Sequence, residues 1–171
     1  MINRILNVYR KRFWSGAKYA RYVGVKVGKN SIISIKNFGS EPYLIEIGDD
    51  VRITAGVKIF THGGARVLRK KYPSFDFFGK VKIGDNVYIG NNALILPGVT
   101  IGNNVLIGAG SVVTKSIPDD SVVGGNPAKI ICALSELEKK ILPFDVKTKG
   151  MNYNEKKELL ESLDEDRFIK K

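Results

Sequence analysis

The only histidine of the 171-residue chain is His62, and Gly63 and Gly64 follow it directly. A neutral imidazole can accept the proton of a hydroxyl group as that hydroxyl attacks a carbonyl carbon, which makes His62 a candidate general base. The two glycines would let a substrate or a neighbouring backbone approach this position closely. A histidine that is only hydrogen-bonded at a turn fits the same residues, so the residues alone leave both interpretations open.

The scarcity of histidine and cysteine excludes several kinds of site. The single cysteine, Cys132, excludes a disulfide framework and a cysteine-rich zinc site. The single histidine excludes any single-chain site that needs two or three imidazoles, so we expect no bound metal. We interpret Cys132 as an inert small hydrophobe, because no second histidine is present to activate it as a nucleophile.

The basic excess of the chain lies at one end of the sequence. The formal net charge is +11, from 28 Lys and Arg against 17 Asp and Glu. Residues 1–40 carry nine basic side chains and no acidic one, whereas residues 133–171 carry nine of each. No apolar run approaches 18 residues and no small-residue cleavage site follows the first apolar residues. We therefore expect a cytoplasmic protein without a transmembrane span.

An aliphatic residue recurs at every sixth position through much of the chain. A period of six fits neither a helix nor a simple alternating strand, but it fits a hexapeptide β-helix. In that architecture each hexad supplies one short strand and one corner, and three hexads complete a coil of about 18 residues. A β-sandwich with glycine-rich turns is the alternative, and nine aliphatic residues in one phase disfavour it. The nine are Ile47, Ile53, Ile59, Ile83, Ile89, Ile95, Ile101, Ile107 and Val113.

Polar pairs predict the corners between these strands, because Asp and Asn tolerate left-handed backbone and each pair follows a glycine. Val27 and Ile33 begin a further run that is displaced in phase by two residues. Residues 61–80 interrupt the hexads and carry bulky aromatic side chains, so they predict an extruded loop. The corner pairs are Asp49-Asp50, Asp85-Asn86, Asn91-Asn92 and Asn103-Asn104.

Short helices are predicted on both sides of the repeat. Residues 1–22 have apolar residues at three-to-four spacing and predict one helix. Residues 134–142 and 154–170 predict two more, and Asn152 with Glu155 forms a capping pair before the last. The expected organisation is a basic helical segment (1–22), a β-helix domain (23–132) and a C-terminal helical segment (133–171). Such helices would cover unpaired strand edges at the ends of the coil.

Residues 27–132 resemble the left-handed β-helix acyltransferases of the hexapeptide-repeat superfamily. The resemblance is closest to sugar and capsular-polysaccharide O-acetyltransferases, near the maltose and galactoside acetyltransferases. The handedness follows from this resemblance, since it departs from the usual right-handed crossover rule. The segments that carry it are NFGSEPYLIEIGDDVRI (37–53), IFTHGG (59–64), FGKVKIGDNVYIG (78–90), ILPGVTIG (95–102) and IGAGSVVTKSIPDDSVVGGNPAKII (107–131), the last being typical of members that use CoA.

The resemblance implies an all-β fold, a left-handed parallel β-helix with the extruded loop and terminal helices. It also implies an acetyl-CoA-dependent O-acetyltransferase acting on a saccharide, with His62 as the general base and no metal. A homotrimer with active sites between subunits is expected. N-acetylation of an amino sugar and a solenoid that binds without turnover are the alternatives. A γ-class carbonic anhydrase is excluded, because its metal needs three histidines.

The positions that contact CoA in galactoside-type relatives correspond to five residues here. Two of them lie 18 residues apart and would stack on consecutive coils beside an extended pantetheine arm. The threonine and lysines would meet phosphate or adenine-side groups, although the same side chains also fit a solvated corner. A further basic residue of the relatives corresponds to Cys132. The five are Asn91 and Ala109, which would stack, and Thr114, Lys115 and Lys129.

Several residues are candidate partners of His62 or of the acceptor. Asp76 and Glu41 could each orient the imidazole or contact substrate, and Asn37 matches weakly a substrate-contacting Asn of galactoside-type relatives. The loop aromatics could form a platform for a sugar ring, or pack within the loop or against a neighbouring subunit. The basic run at 66–71 could attract an anionic substrate or lie in solvent.

The basic N-terminal segment has three interpretations. It could cover the end of the β-helix with its charges in solvent. It could lie on an anionic membrane, with its apolar face inward and its cations at the surface. Nucleic-acid binding is disfavoured, because no stacking motif or recognised fold accompanies the charge.

Overall fold

A computed structural model describes residues 2–170 of the chain. Four α-helices lie outside the repeat: α1 (Ile2–Phe13), α2 (Gly16–Val23), α3 (Leu134–Ile141) and α4 (Tyr153–Glu161). The thirteen strands among these residues are β1 (Lys26–Val27), β2 (Ile32–Ile33), β3 (Ile45–Ile47), β4 (Arg52–Ile53), β5 (Lys58–Ile59), β6 (Val81–Ile83), β7 (Tyr88–Ile89), β8 (Leu94–Ile95), β9 (Thr100–Ile101), β10 (Leu106–Ile107), β11 (Val112–Val113), β12 (Ser121–Gly124) and β13 (Lys129–Ala133).

The strands form three sheets that the chain visits in turn. Sheet A has the order β1-β3-β6-β9, sheet B the order β2-β4-β7-β10-β12-β13, and sheet C the order β5-β8-β11. Strands β6 to β11 enter sheets A, B and C in strict rotation, and Ile89 pairs with Ile107 in parallel register. The predicted coil of 18 residues is therefore confirmed. The exception is β13, which pairs antiparallel to β12 and was not expected in a wholly parallel repeat.

The interior is a stack of aliphatic side chains. All nine in-phase residues are buried, from Ile47 in the second coil to Val113 in the last. A second inward column of smaller residues, including Val87, Val99 and Val105, fills the space between them. Because each hexad turns its aliphatic side chain inward, the alternate residues of sheet C, from Lys58 to Thr114, are left on the outer face.

The predicted corners adopt left-handed backbone. The second residue of each polar pair has positive φ, with values of 55° at Asp50, 53° at Asn86, 61° at Asn92 and 54° at Asn104. The corner amides also bond from coil to coil, since Asn86 Nδ2 donates to Asn104 Oδ1 over 2.8 Å. The corner chemistry thus fixes both the turn and the spacing of neighbouring coils.

The N-terminal segment contains two helices where one was predicted over residues 1–22. The helix breaks at Trp14 and Ser15, because the Ser15 side chain caps α2 by accepting a hydrogen bond from Lys18 N. Helix α2 packs on β1 and β2, and Tyr19 and Ala20 are buried with the core of the coil.

Residues 61–80 leave the coil and return to the same point. Gly79 N donates to Thr61 O over 2.7 Å, and His62 and Phe78 form an antiparallel bridge. The repeat continues across this insertion in register, because Ile59 pairs with Ile95 on the next coil. The loop therefore leaves the stacking of the coils unchanged, as expected for a loop that is extruded from the coil.

The chain forms two compact units, one ending at Leu134 and one beginning at Ser135. Asn152 and Glu155 form the predicted capping box at the start of α4. The prediction of a helix to residue 170 is wrong, since α4 ends at Glu161 and a short 3-10 helix follows at Glu165–Arg167. Between residues 2 and 170, no helix has the length and apolar composition that crossing a membrane requires.

Candidate active site

His62 and Glu41 are joined by a short hydrogen bond. His62 Nδ1 lies 2.7 Å from Glu41 Oε2, although 21 residues separate the two in sequence. The Glu41 side chain is 14% exposed and that of His62 is 42% exposed. The carboxylate is therefore mostly covered, whereas the imidazole remains open to a ligand.

Thr61 provides a second bond to the same carboxylate. Thr61 is a buried residue, with 2% of its surface exposed, and its hydroxyl donates to Glu41 Oε2 over 2.8 Å. Burial raises the pKa of the Glu41 carboxyl, but side-chain hydrogen bonds from Thr61, Ser40 and His62 outweigh it and hold that pKa below its usual value. Glu41 is consequently an ionised acceptor at neutral pH.

An ionised carboxylate only accepts hydrogen bonds, so the hydrogen between the two groups resides on His62 Nδ1. In the neutral ring, Nε2 then carries the lone pair and can take a proton. Glu41 thus fixes the tautomer that a general base requires.

His62 borders a cleft of about 560 Å³ on the outer face of sheet C. Its walls are mainly apolar, with Leu94, Leu96 and Pro97 on the coil side and Phe77 from the loop. The Phe78 ring lies 5.8 Å from the imidazole, centroid to centroid, and flanks it. This cleft can therefore hold an extended, largely apolar chain with its reactive end beside His62.

Asp76, the other candidate partner of the imidazole, is engaged elsewhere. Its Oδ2 lies 3.1 Å from Arg69 Nη2, and its Oδ1 accepts from Phe77 N over 3.0 Å. These bonds hold the loop to itself. Of the two carboxylates that the sequence left open, the structure brings only Glu41 to His62.

The residues matched to CoA contacts fall in three places. Thr114 lines the cleft together with His62, and the exposed Lys115 follows it directly. Asn91 and Ala109 lie on consecutive coils at the opposite border of sheet C, where Gly110 N donates to Asn91 O over 2.8 Å. Lys129 lies on the antiparallel strand β13 and is exposed.

A second groove, of about 370 Å³, adjoins the cleft. Asn37 lines it with Lys36 and Lys58, and Phe60 lines both the groove and the cleft. Of the loop aromatics, Phe77 lines the cleft and also packs on Phe75, with the ring centroids 6.0 Å apart.

Thr61 is the residue of this site that sequence reasoning missed. Its only signal is a small hydroxyl residue immediately before the single histidine, and such a residue is common at the end of a strand. Its importance depends on the contact with Glu41, which the sequence does not reveal.

Known proteins with similar sequences and structures identify the family to which the chain belongs. The family model described as "Bacterial transferase hexapeptide (six repeats)" matches residues 80–115. Protein CapG of Staphylococcus aureus is 55% identical over 153 residues, covering 86% of this chain and 89% of the relative. The chain belongs to the hexapeptide-repeat acetyltransferases. The resemblance seen in the motifs is thereby confirmed.

Two further relatives are acetyltransferases by name. Galactoside O-acetyltransferase of Escherichia coli K12 is 35% identical over 128 residues, 74% of this chain and 62% of the relative. The solved structure of the hexapeptide-repeat acetyltransferase VCA0836 of Vibrio cholerae, complexed with acetyl coenzyme A, is 32% identical with a TM-score of 0.59. It matches 65% of this chain, which spans 61% of that protein.

Proposed function

We propose that this protein transfers an acetyl group from acetyl-CoA to a hydroxyl group of a saccharide. The observation that carries the proposal is the contact of 2.7 Å between His62 Nδ1 and the ionised Glu41 carboxylate, at the border of an open cleft. The names of the relatives support the donor and the class of acceptor, since one is a galactoside O-acetyltransferase and another is complexed with acetyl coenzyme A.

In the proposed reaction, His62 Nε2 takes the hydroxyl proton as the hydroxyl oxygen attacks the thioester carbonyl carbon. The tetrahedral oxyanion, stabilised by nearby backbone N–H groups, then expels the thiolate as the carbon–sulfur bond breaks. The imidazolium returns its proton to the sulfur, which leaves an acetyl ester and free CoA. The transfer is direct and forms no acyl-enzyme.

Glu41 is the positioning residue of this mechanism. It holds the hydrogen on Nδ1, so that Nε2 faces the acceptor as a base, and it stabilises the ring once protonated. Thr61 keeps the carboxylate in place through its own hydrogen bond. The arrangement needs no metal, in keeping with the single histidine of the chain.

The donor would lie along the outer face of sheet C. The apolar cleft walls suit the pantetheine arm with its thioester end at His62, and Thr114 lines the same cleft. Asn91 and Ala109 would flank the arm, and Lys115 and Lys129 would pair with its phosphates as point charges. We propose that the three sheets form a left-handed β-helix. We also propose that the protein assembles as a homotrimer, in which a neighbouring subunit completes each cleft.

The test measures CoA release with acetyl-CoA and a panel of neutral hexosides, with and without the acceptor. We expect acceptor-dependent turnover in the wild type and a loss of about 10²–10⁴-fold in kcat for His62→Ala. Arg66→Ala, an exposed change on the same loop, is the matched control and should keep wild-type turnover.

Equal turnover in the wild type and in His62→Ala would contradict the base assignment. Preferential acetylation of an amino sugar on nitrogen would replace the O-acetyl assignment with the N-acetyl one. Acetyl-CoA binding without turnover on any acceptor would favour the non-catalytic alternative.

We also propose that α1 rests on an anionic membrane surface, placing the enzyme on the cytoplasmic side. The exposed Tyr9 and Phe13 pack on each other with ring centroids 4.8 Å apart, and Leu6 lies on the same helix face. The last turn carries Arg10, Lys11 and Arg12, and no acidic residue lies in the first 40 positions. An apolar strip with cationic flanks suits the headgroup region of such a bilayer.

A further inference from the structure

We infer that the groove beside Phe60 selects an acceptor saccharide that bears a negative charge, a carboxylate or a phosphate. This inference rests on the proposed function and adds the charge class of the acceptor to it.

The groove is lined by cations without acidic neighbours. Lys36 and Lys58 line it together with the polar side chains of Ser34 and Asn37, and none of its lining residues is an Asp or Glu. Neither lysine takes part in an ion pair among the side chains described, those of residues 6–170. Within that range the only polar contact of the Lys36 ammonium is a long one, 3.4 Å, to the carbonyl oxygen of Arg12. Two ammonium groups are thus free to meet an anion.

The carboxylate nearest in sequence to the groove is not paired with either lysine. Glu41 lies two residues beyond Gly39, which lines the groove, and its Oε2 accepts from Thr61 and His62. Residues 1–40 contribute only basic side chains to this end of the coil. The two unpaired lysines therefore give the groove a local positive charge, which would attract anionic ligands into a concave site.

The position of Phe60 connects this potential to the chemistry. Phe60 forms a wall shared by the groove and by the cleft that holds His62. A sugar ring that packs on the aromatic face would reach from one site to the other. Apart from His62, the cleft is lined by no ionisable residue, so discrimination by charge would arise in the groove.

The experiment compares acceptors that share the galactose ring and differ in the charged group they carry: methyl galactoside, the matching galactosiduronate, galactose 1-phosphate and UDP-galactose. For the wild type we expect a higher kcat/KM with at least one anionic acceptor than with the neutral one. The uronate and the two phosphates separate the sources of the charge. Raised salt should weaken the preference, because exposed charges are screened.

The variants are Lys36→Gln, Lys58→Gln and their combination. Each single change should lower the ratio of anionic to neutral kcat/KM about fivefold, as expected for a partly exposed charge pair, and the double change more. Lys82→Gln, on the outer face of sheet A, is the matched control and should leave the ratio unchanged.

A binding measurement separates this inference from the proposed function. Saturation-transfer NMR with the uronate and the neutral galactoside needs no turnover. Preferential binding of an anionic acceptor that each lysine variant weakens and the double variant abolishes supports the inference, even if acetyl transfer is absent and the proposed function fails. Equal binding of the two sugars, or a preference that the double variant keeps, overturns the inference, even if acetyl transfer is observed.

Discussion

The regular coils and the two segments that depart from them have different roles in the molecule, one structural and one in supplying the side chains of the site. From Ile83 to Val113 each hexad contributes one short strand, and the inward side chains are buried. Residues 37–46 and 61–80 break the period, and these two segments supply Glu41, Thr61 and His62. The repeat builds a rigid wall, and the departures place polar groups on it.

A physical reason underlies this division. Each coil pairs its backbone with the next, so an inward polar side chain within the repeat is buried and needs a partner inside the coil, as the Ser111 hydroxyl finds in the carbonyl oxygen of Gly108. A segment that leaves the coil is free of that constraint and can present a carboxylate or an imidazole to solvent. Changes in the coils should therefore cost stability, whereas changes in the departures should cost activity.

The largest expected effect on stability comes from the coil interior. Ile95→Ala removes a fully buried side chain from sheet C and should lower the free energy of unfolding by about 2–5 kcal/mol. Ile32→Ala, at a position 54% exposed on β2, is the matched control and should cost much less. Denaturant titration at fixed protein concentration measures both. Equal losses would mean that burial in the stack does not govern stability.

Glu41→Gln tests the irregular segments, in which a change should affect activity. The amide keeps the shape of the side chain but loses the charge that stabilises the protonated imidazole, so kcat should fall about 10–100-fold. KM should change little, because Glu41 does not line the cleft. A loss confined to KM would contradict this role for Glu41.

The same residue predicts a pH dependence of stability. Since folding lowers the pKa of Glu41 below its usual value of 4.5, its ionisation stabilises the fold above pH 4.5 and that contribution is lost as the pH falls through the lowered pKa. The stability difference between the wild type and Glu41→Gln should therefore shrink below pH 4.5. Chemical denaturation at pH 7 and at pH 3.5 checks this, and a difference that grows in acid would contradict it.

A corner change should have a smaller effect, confined to the scaffold. Asn86→Ala places a residue with a Cβ and no local hydrogen bond at φ 53°, which should cost about 1–2 kcal/mol. Asn86→Gly relieves the backbone strain but still loses the bond to Asn104, so it should cost less. Acetyl transfer by both variants should match the wild type. If glycine costs as much as alanine, strain is not the cause.

The smallest effect is expected in α1, which belongs neither to the regular coils nor to the two segments that depart from them. Phe13→Ser should reduce binding to phosphatidylglycerol vesicles about fivefold, by removing apolar area from the bilayer-facing side. Val8→Ser changes a residue of similar exposure, 66% against 68%, on another side of the helix and is the control. Sedimentation with vesicles measures the difference. Equal loss in both variants, or equal binding to neutral vesicles, would contradict the membrane proposal.

Much of the scaffold could be predicted because its contacts repeat. The in-phase isoleucines and the polar corner pairs are local signals that recur every six residues, and each occurrence confirms the others. Each element outside the repeat is indicated only by a single local signal, which no other part of the sequence repeats. The break at Ser15 depended on a cap within a continuous apolar pattern, and the end of α4 at Glu161 lacked a glycine or proline to mark it.

The sequence by itself determined the period of the coil, its corners, the position of the extruded loop and the single imidazole. Only the tertiary structure decided which carboxylate meets that imidazole and which side chains share its cleft. The reason is that Glu41 and His62 approach each other through two irregular segments, whose paths depend on the whole stack rather than on any local pattern. The same holds for Phe60, whose place between groove and cleft follows from the coils on either side of it.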